Sequence, residues 1–257
     1  MLAQTTQCST GPRHPGHTLI CCQDCQAWHI DDEARMDKKP KLCAYCGLEL
    51  SAGPVNREHF VSKCFWGGLP LPNAMKVIRV HESCNSGAKD DAEYLRDILV
   101  MTAGTPEHRN AKQAVDVAIL NKMDYDATQF LKLLGEVRTM PVVTSSGLFV
   151  GMGEAFRVDT ERRNRALHRI IRGLFFLLAG RPLATDTVFH ELDQKTGLAL
   201  LEGTGMSQSF GDDVFQYRYH LFGEDPNCIL VYLRFYQKHT FGFVTITKDF
   251  RMPDDSA

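Results

Sequence analysis

The chain contains no run of about 18 apolar residues, so no membrane-spanning helix is expected. Its first residues lack the apolar core of a secretion signal, which sets the expectation of a cytoplasmic protein with no membrane partner. It also lacks an excess of either charge: 29 Lys and Arg stand against 31 Asp and Glu, a net of −2. That balance excludes a generally basic protein that coats polyanions, so any nucleic-acid site must be a local patch. No internal repeat or low-complexity tract is present. What remains is an ordinary globular composition, 44% hydrophobic and 23% charged over 257 residues, enough for a sizeable core.

Cysteine, by contrast, is plentiful and unevenly placed. Of nine cysteines, Cys8, Cys21, Cys22, Cys25, Cys43, Cys46, Cys64 and Cys84 lie in the first third and only Cys228 lies beyond. In a reducing compartment, clustered cysteines with two-residue gaps point to metal rather than to disulfides. Cys43 and Cys46 enclose two residues, a spacing that turns two thiolates toward one ion, and Gly47 supplies a permissive backbone after them. Two pairs compete to complete a tetrahedral site: Cys22 with Cys25 upstream, and His81 with Cys84 downstream. Spacing leaves both open and leans toward the upstream pair, whose separation is usual for a zinc ribbon. Cys21, Cys64 and Cys228 read as small buried hydrophobes or free thiols.

Periodicity organises the rest. Residues 1–35 are broken by Gly11, Pro12, Pro15 and Gly16 and are expected to form a weakly ordered extension, with Met36 as a candidate start. Residues 36–105 are expected to hold the metal module. Within them DDAEYLRDILVM, 90–101, reads as a helix capped by Asp90 or Asp91. Residues 106–257 read as an α+β accessory region. It holds helical stretches near 107–121 and 126–138, a hairpin around 141–158 and a long helix near 160–179. Asp159 or Thr160 caps the long helix, and Gly180 with Pro182 stops it. Arg162, Arg165, Arg169 and Arg172 form a basic stripe on that helix, read either as a solvated face or as a phosphate contact. FQYRYHLF, CILVYLRFY and TFGFVTIT read as a C-terminal antiparallel β-meander.

Between the two candidate metal pairs lie Glu58-His59, a Gly-Gly at 67–68 and Asn73, and Asn85 directly follows Cys84. The run from CAYC through REHFV to NAMKVIRVHESCNSGAKDDAEYLR resembles the HNH (ββα-metal, treble-clef) endonucleases, in a bacterial branch with an H-N-N type motif. RVDTERRNRALHRIIRGLFFLLAGRPL resembles the downstream helix of that group. The resemblance covers roughly residues 41–105 and 155–185. It implies an α+β fold in which a zinc-stabilised treble-clef HNH module is followed by helices and C-terminal strands. It also implies a structural Zn²⁺ held by Cys43, Cys46, His81 and Cys84. Where such proteins usually carry a second CxxC, this chain has His81, and imidazole is a sound zinc ligand.

The same resemblance implies a metal-dependent endonuclease acting on phosphodiester bonds, with nucleic acid, DNA foremost, as partner. His59 is the expected general base. Glu58 and Asn85 are hard oxygen ligands for a catalytic Mg²⁺ or Mn²⁺. Asn73 matches the middle asparagine of the motif and is expected to hydrogen-bond the backbone near His59 and orient the ring. Arg57, Lys63 and Lys89 are the expected nucleic-acid contacts. Phe65 and Trp66 read either as base-stacking or as buried beneath the Gly-Gly turn. Two other classes stay open: a non-catalytic zinc-dependent nucleic-acid binder, and a structural zinc protein that binds a protein partner. A homodimer is one option for the assembly.

Overall fold

The structure, a computed structural model, describes residues 42–248 apart from 103, 126–130, 132–134, 136, 145, 202–204, 212, 224 and 226. The expected extension 1–35, with Cys8, Cys21, Cys22 and Cys25, lies outside the described residues, as does most of the helix expected near 126–138. The described chain opens with a tight knuckle. Cys43 donates its backbone N–H to the Leu48 carbonyl at 2.8 Å, Gly47 donates to Cys43 at 3.0 Å, and the ends meet as a Leu42–Glu49 bridge. Gly47 takes φ +74°, a left-handed conformation that favours glycine, and a β-carbon there would stand 3.2 Å from Pro182.

Strands β1 (Val55–His59) and β2 (Val77–His81) pair antiparallel, with Val55 opposite His81 and His59 opposite Val77. A 3-10 turn at Lys63–Trp66 buries Phe65 and Trp66 between them. Both rings belong to the interior, so neither is placed to stack on a base. A single-turn helix α1 (Glu82–Asn85) follows β2, then α2 (Ala88–Thr102) and α3 (Arg109–Tyr125). The expected hairpin is present as β3 (Arg138–Val143) and β4 (Phe149–Ala155), a separate two-stranded sheet.

The long helix α4 (Thr160–Ala179) forms where its caps predict. The Asp159 side chain accepts the Arg162 backbone N–H at 3.1 Å, and Gly180 closes the other end with φ +69°. Its buried stripe includes Leu167, Ile170, Ile171, Leu174 and Phe175. Gly173 lets it pass close to the β1–β2 pair, because a β-carbon there would stand 3.1 Å from both Ile78 and Phe60. A short strand β5 (Val188–Leu192) and helix α5 (Gln194–Leu201) lead to β6 (Met206–Phe210), β7 (Phe215–Leu221), β8 (Ile229–Phe235) and β9 (His239–Ile246). These strands form one antiparallel sheet in the order β5-β9-β8-β7-β6. The fold is therefore α+β with a C-terminal antiparallel sheet.

One face of this sheet completes the core under the β1–β2 pair. Phe60 meets Phe210, Phe215 and Tyr217 edge-on at 6.0 to 6.3 Å, and the Tyr236 hydroxyl donates to the Phe65 carbonyl at 2.8 Å. The largest hydrophobic cluster joins residues from Cys43 to Phe243, on both sides of residue 105.

Most of the arginine stripe on α4 is engaged within the fold. Arg165 grips the buried Asp91 carboxylate through two bonds of 3.0 Å, Arg169 adds a third at 2.9 Å, and Arg162 approaches it at 3.5 Å. Arg172 instead donates to the Leu183 and Ala184 carbonyls. Asp91 is thus not the cap of α2, which begins earlier at Ala88. Burial raises the Asp91 carboxyl, but the arginine hydrogen bonds and charges outweigh it and hold the group below its ordinary range.

Candidate metal centre and adjoining acidic-histidine cleft

The knuckle, the end of β2 and α1 bring four donors together. Cys43, Cys46, His81 and Cys84 place their ligand atoms within 4.8 Å of one another, and among the described residues this is the cluster suited to a metal ion such as zinc. The imidazole orientation is fixed from outside. His81 Nε2 lies 2.9 Å from the Glu49 carbonyl, which can only accept, so Nε2 carries the hydrogen. The lone pair then sits on Nδ1, 3.4 Å from Cys46 Sγ. This second contact is the kind that orients a metal-bound histidine.

The sulfurs also fit a cation. Burial raises the Cys43 thiol, but the backbone amides of Cys46, His81 and Tyr45 point at its sulfur and bring it below its ordinary value. Cys84 is pushed up to about 12 by burial and by the neighbouring Cys46 and Cys43 sulfurs. Three sulfurs this close repel as thiolates, and a bound divalent ion removes that penalty. Cys64 and Cys228 stand apart as free thiols, each raised to about 11, chiefly by burial.

Asn85 follows Cys84 in α1, so the turn that presents Cys84 fixes its direction. Its Nδ2 donates to Glu58 Oε2 at 3.2 Å, joining α1 to the end of β1. Its Oδ1 is buried without a hydrogen-bond partner, and so is Nδ1 of the adjacent His59. Buried polar atoms normally find partners. Asn85 touches Glu58 through Nδ2 and His59 follows Glu58 at the end of β1, so both orphaned atoms belong to residues flanking the Glu58 carboxylate. His59 is held below its ordinary pKa by burial first, then by Lys63 and Arg57, against the opposing pull of Glu58.

A cleft of about 550 Å³ opens beside Glu58 and His59, lined also by Arg57, Lys63, Lys89 and Glu93 among others. Its basic residues are unequally free. Lys89 approaches Glu93 at 3.8 Å. Arg57 faces Arg79 across the strand pair, and both are exposed. Like charges directly opposite are destabilising unless an anion bridges them.

Asn73 does not join the site. It lies in an exposed turn before β2 and makes no side-chain hydrogen bond to the described residues. The chain after His59 is held by other means: Phe60 donates to the Lys76 carbonyl at 3.5 Å, and its ring is fixed by the aromatic wall of the C-terminal sheet. Two residues stand at the site without having been singled out for it. Tyr45, inside the knuckle, and Arg169, of the α4 stripe, line a small cavity with Glu58 and His59. Burial and the Glu58 charge raise the Tyr45 phenol. Its position between two metal-ligand cysteines was the available signal.

No family model, no curated protein and no solved structure matches the chain.

Proposed function

We propose that this protein is a metal-dependent endonuclease of the HNH type, hydrolysing phosphodiester bonds in nucleic acid, DNA foremost. The observation that carries the reading is the opening of Glu58 and His59 onto a basic cleft, with Asn85 bonded to Glu58 and with His59 Nδ1 and Asn85 Oδ1 buried and unpartnered. The succession of knuckle, strand pair and metal-bearing helix turn supports the ββα-metal assignment of the module.

In this reading the Cys43–Cys46–His81–Cys84 centre is a structural zinc site that holds α1 against β1. Glu58 and the Asn85 Oδ1 are the ligands for Mg²⁺ or Mn²⁺, both hard oxygen donors. Such an ion, when bound, neutralises charge on the scissile phosphate and the leaving 3′ oxygen. His59 accepts a proton from water at Nδ1, and the water oxygen attacks phosphorus as the P–O3′ bond breaks. A histidine kept neutral by burial and by Lys63 is the form that can accept that proton. Arg57, Lys63 and Lys89 receive the neighbouring phosphates, positioning the backbone without reading its sequence. Asn73 is left without a role in this scheme, and the ring of His59 depends on the packing of Phe60 instead.

The test is nicking of supercoiled plasmid with Mg²⁺ or Mn²⁺, with and without EDTA, by the wild-type chain and by His59→Ala. Metal-dependent nicking that falls by at least about 10²-fold in the variant, the lower range for loss of a general base, with zinc content and circular dichroism unchanged, is the expected result. A gel shift with no cleavage would assign the protein to non-catalytic binding. Equal nicking by both proteins removes His59 from the chemistry.

A further inference from the structure

Among the described residues the β3–β4 hairpin pairs with no third strand, and seven of its large apolar side chains are open to solvent. Val142, the most covered of them, is 47% exposed, and Leu148 at the tip is 68% exposed. The exposure is on both faces of the ribbon. Register places Met140 and Val142 on one face with Gly153 and Gly151, and Met152 on the other face with Pro141. An isolated two-stranded ribbon is marginal in water, and stable sheets need at least about three strands or a covering element.

We propose that this hairpin is the dimer contact: the outer edge of β4, Phe149–Ala155, pairs antiparallel with the same edge of a second copy to form one four-stranded sheet. Three features select a second copy as the occupant. The first is the unpaired backbone of β4, whose outer edge presents donors and acceptors that an added strand satisfies, beside seven apolar side chains about half to two-thirds exposed. The second is charge. From Met140 to Gly153 the chain carries no charged residue, so identical surfaces meet without like-charge repulsion. The third is closure. Pro141 removes a backbone donor from β3, whereas β4 contains no proline. After β4 meets β4 across a two-fold axis, both outer edges of the new sheet are proline-bearing β3 strands. Assembly therefore stops at two and does not propagate along open edges.

The test reads mass and does not depend on nuclease activity. By sedimentation equilibrium at micromolar concentration the full chain is expected at twice its 28.9 kDa mass. Two double variants, Val150→Lys with Met152→Lys and Val150→Glu with Met152→Glu, are each expected at the single-chain mass with unchanged zinc content and circular dichroism. Mixed in equal amounts they should return to double mass, because opposite charges then face each other across the edge. The inference is overturned if the wild-type chain stays at single mass. It is equally overturned if both variants remain dimeric, or if a monomer instead co-floats with phosphatidylcholine vesicles through this hairpin.

Discussion

His81 shows how much one side chain can decide. Its Nε2–H is committed to the Glu49 carbonyl, which leaves Nδ1 as the lone pair facing Cys46. Structural zinc contributes about 10–16 kcal/mol in small metal-folded modules, comparable to or above the roughly 5–15 kcal/mol net stability of a domain. His81→Ala in a chain starting at Met36 is therefore expected to lose its zinc and aggregate, while His81→Cys keeps one zinc per chain. The parent chain from Met36, which lacks Cys22 and Cys25, is expected to keep it too. Zinc content by mass spectrometry of the purified proteins checks all three, and loss of zinc from the parent chain would return the upstream cysteines to the site. The cysteine pair at 43 and 46 is legible from spacing alone. The choice of its partners is not, because spacing measures distance along the chain, and the knuckle and β2 meet through backbone bonds such as Ala44 N–H to the Arg79 carbonyl. Asn73 shows the converse: a motif position that matches by order yet stands in an exposed turn.

At the scale of elements, the start of α2 is held by α4 rather than by a cap. Asp91 sits inside the helix, buried, with three guanidinium groups converging on it, while Arg162 also donates to the Asp90 carbonyl and Arg169 to the Ser86 carbonyl. These bonds fix the segment that follows Asn85, and so they reach the cleft through one short turn. Asp91→Asn leaves the guanidinium groups without their counter-charge. A fully buried pair broken in this way costs about 3–5 kcal/mol; here the partly open arginines reduce that to about 2 kcal/mol. The thermal midpoint is expected to fall by several degrees. The sign with pH follows from the depressed carboxyl. Its contribution is complete above the ordinary carboxylate range and is lost as pH falls through the lowered value, so the variant should show a shallower acid destabilisation than wild type. Urea unfolding at a series of pH values measures both effects. A sequence pattern sees an acidic residue ahead of an apolar stripe and reads a cap; only the fold shows that its partners lie 74 and 78 positions away. Long periodic helices such as α4 were legible with their caps. β6, with the sequence MSQSF, was not, because its alternation is too polar to stand out and its pairing with β7 supplies the order.

Among the described residues the main hydrophobic cluster draws on both the expected metal module and the expected accessory region. Phe60 and Phe65, between the metal-bearing elements, are covered by Phe210, Phe215, Tyr217 and Phe235. That partnership is invisible to windows of ten or twenty residues, since each aromatic residue reads only as part of its own strand. A fragment of residues 36–105 is expected to fail as an independent unit: it should aggregate or bind zinc with at least tenfold weaker affinity than the full chain, because its apolar underside stays wet. Competition with a chromophoric chelator measures this, and a soluble fragment with undiminished zinc affinity would show that the module carries its own core.

The bond from the Tyr236 hydroxyl to the Phe65 carbonyl spans 171 positions. During synthesis at about 5–20 residues per second, Phe65 leaves the ribosome roughly ten to thirty seconds before its partner is made. Cys43, Cys46 and Cys84 emerge in the same early interval, before the aromatic wall that covers Phe60 and Phe65. For that time the nascent chain presents thiols and bare apolar strands to the solution around it. Final burial of the core beneath the β1–β2 pair is thus set by the arrival of β6, β7 and β8, and the last stretch of message translated governs how long the first-made apolar strands stay wet.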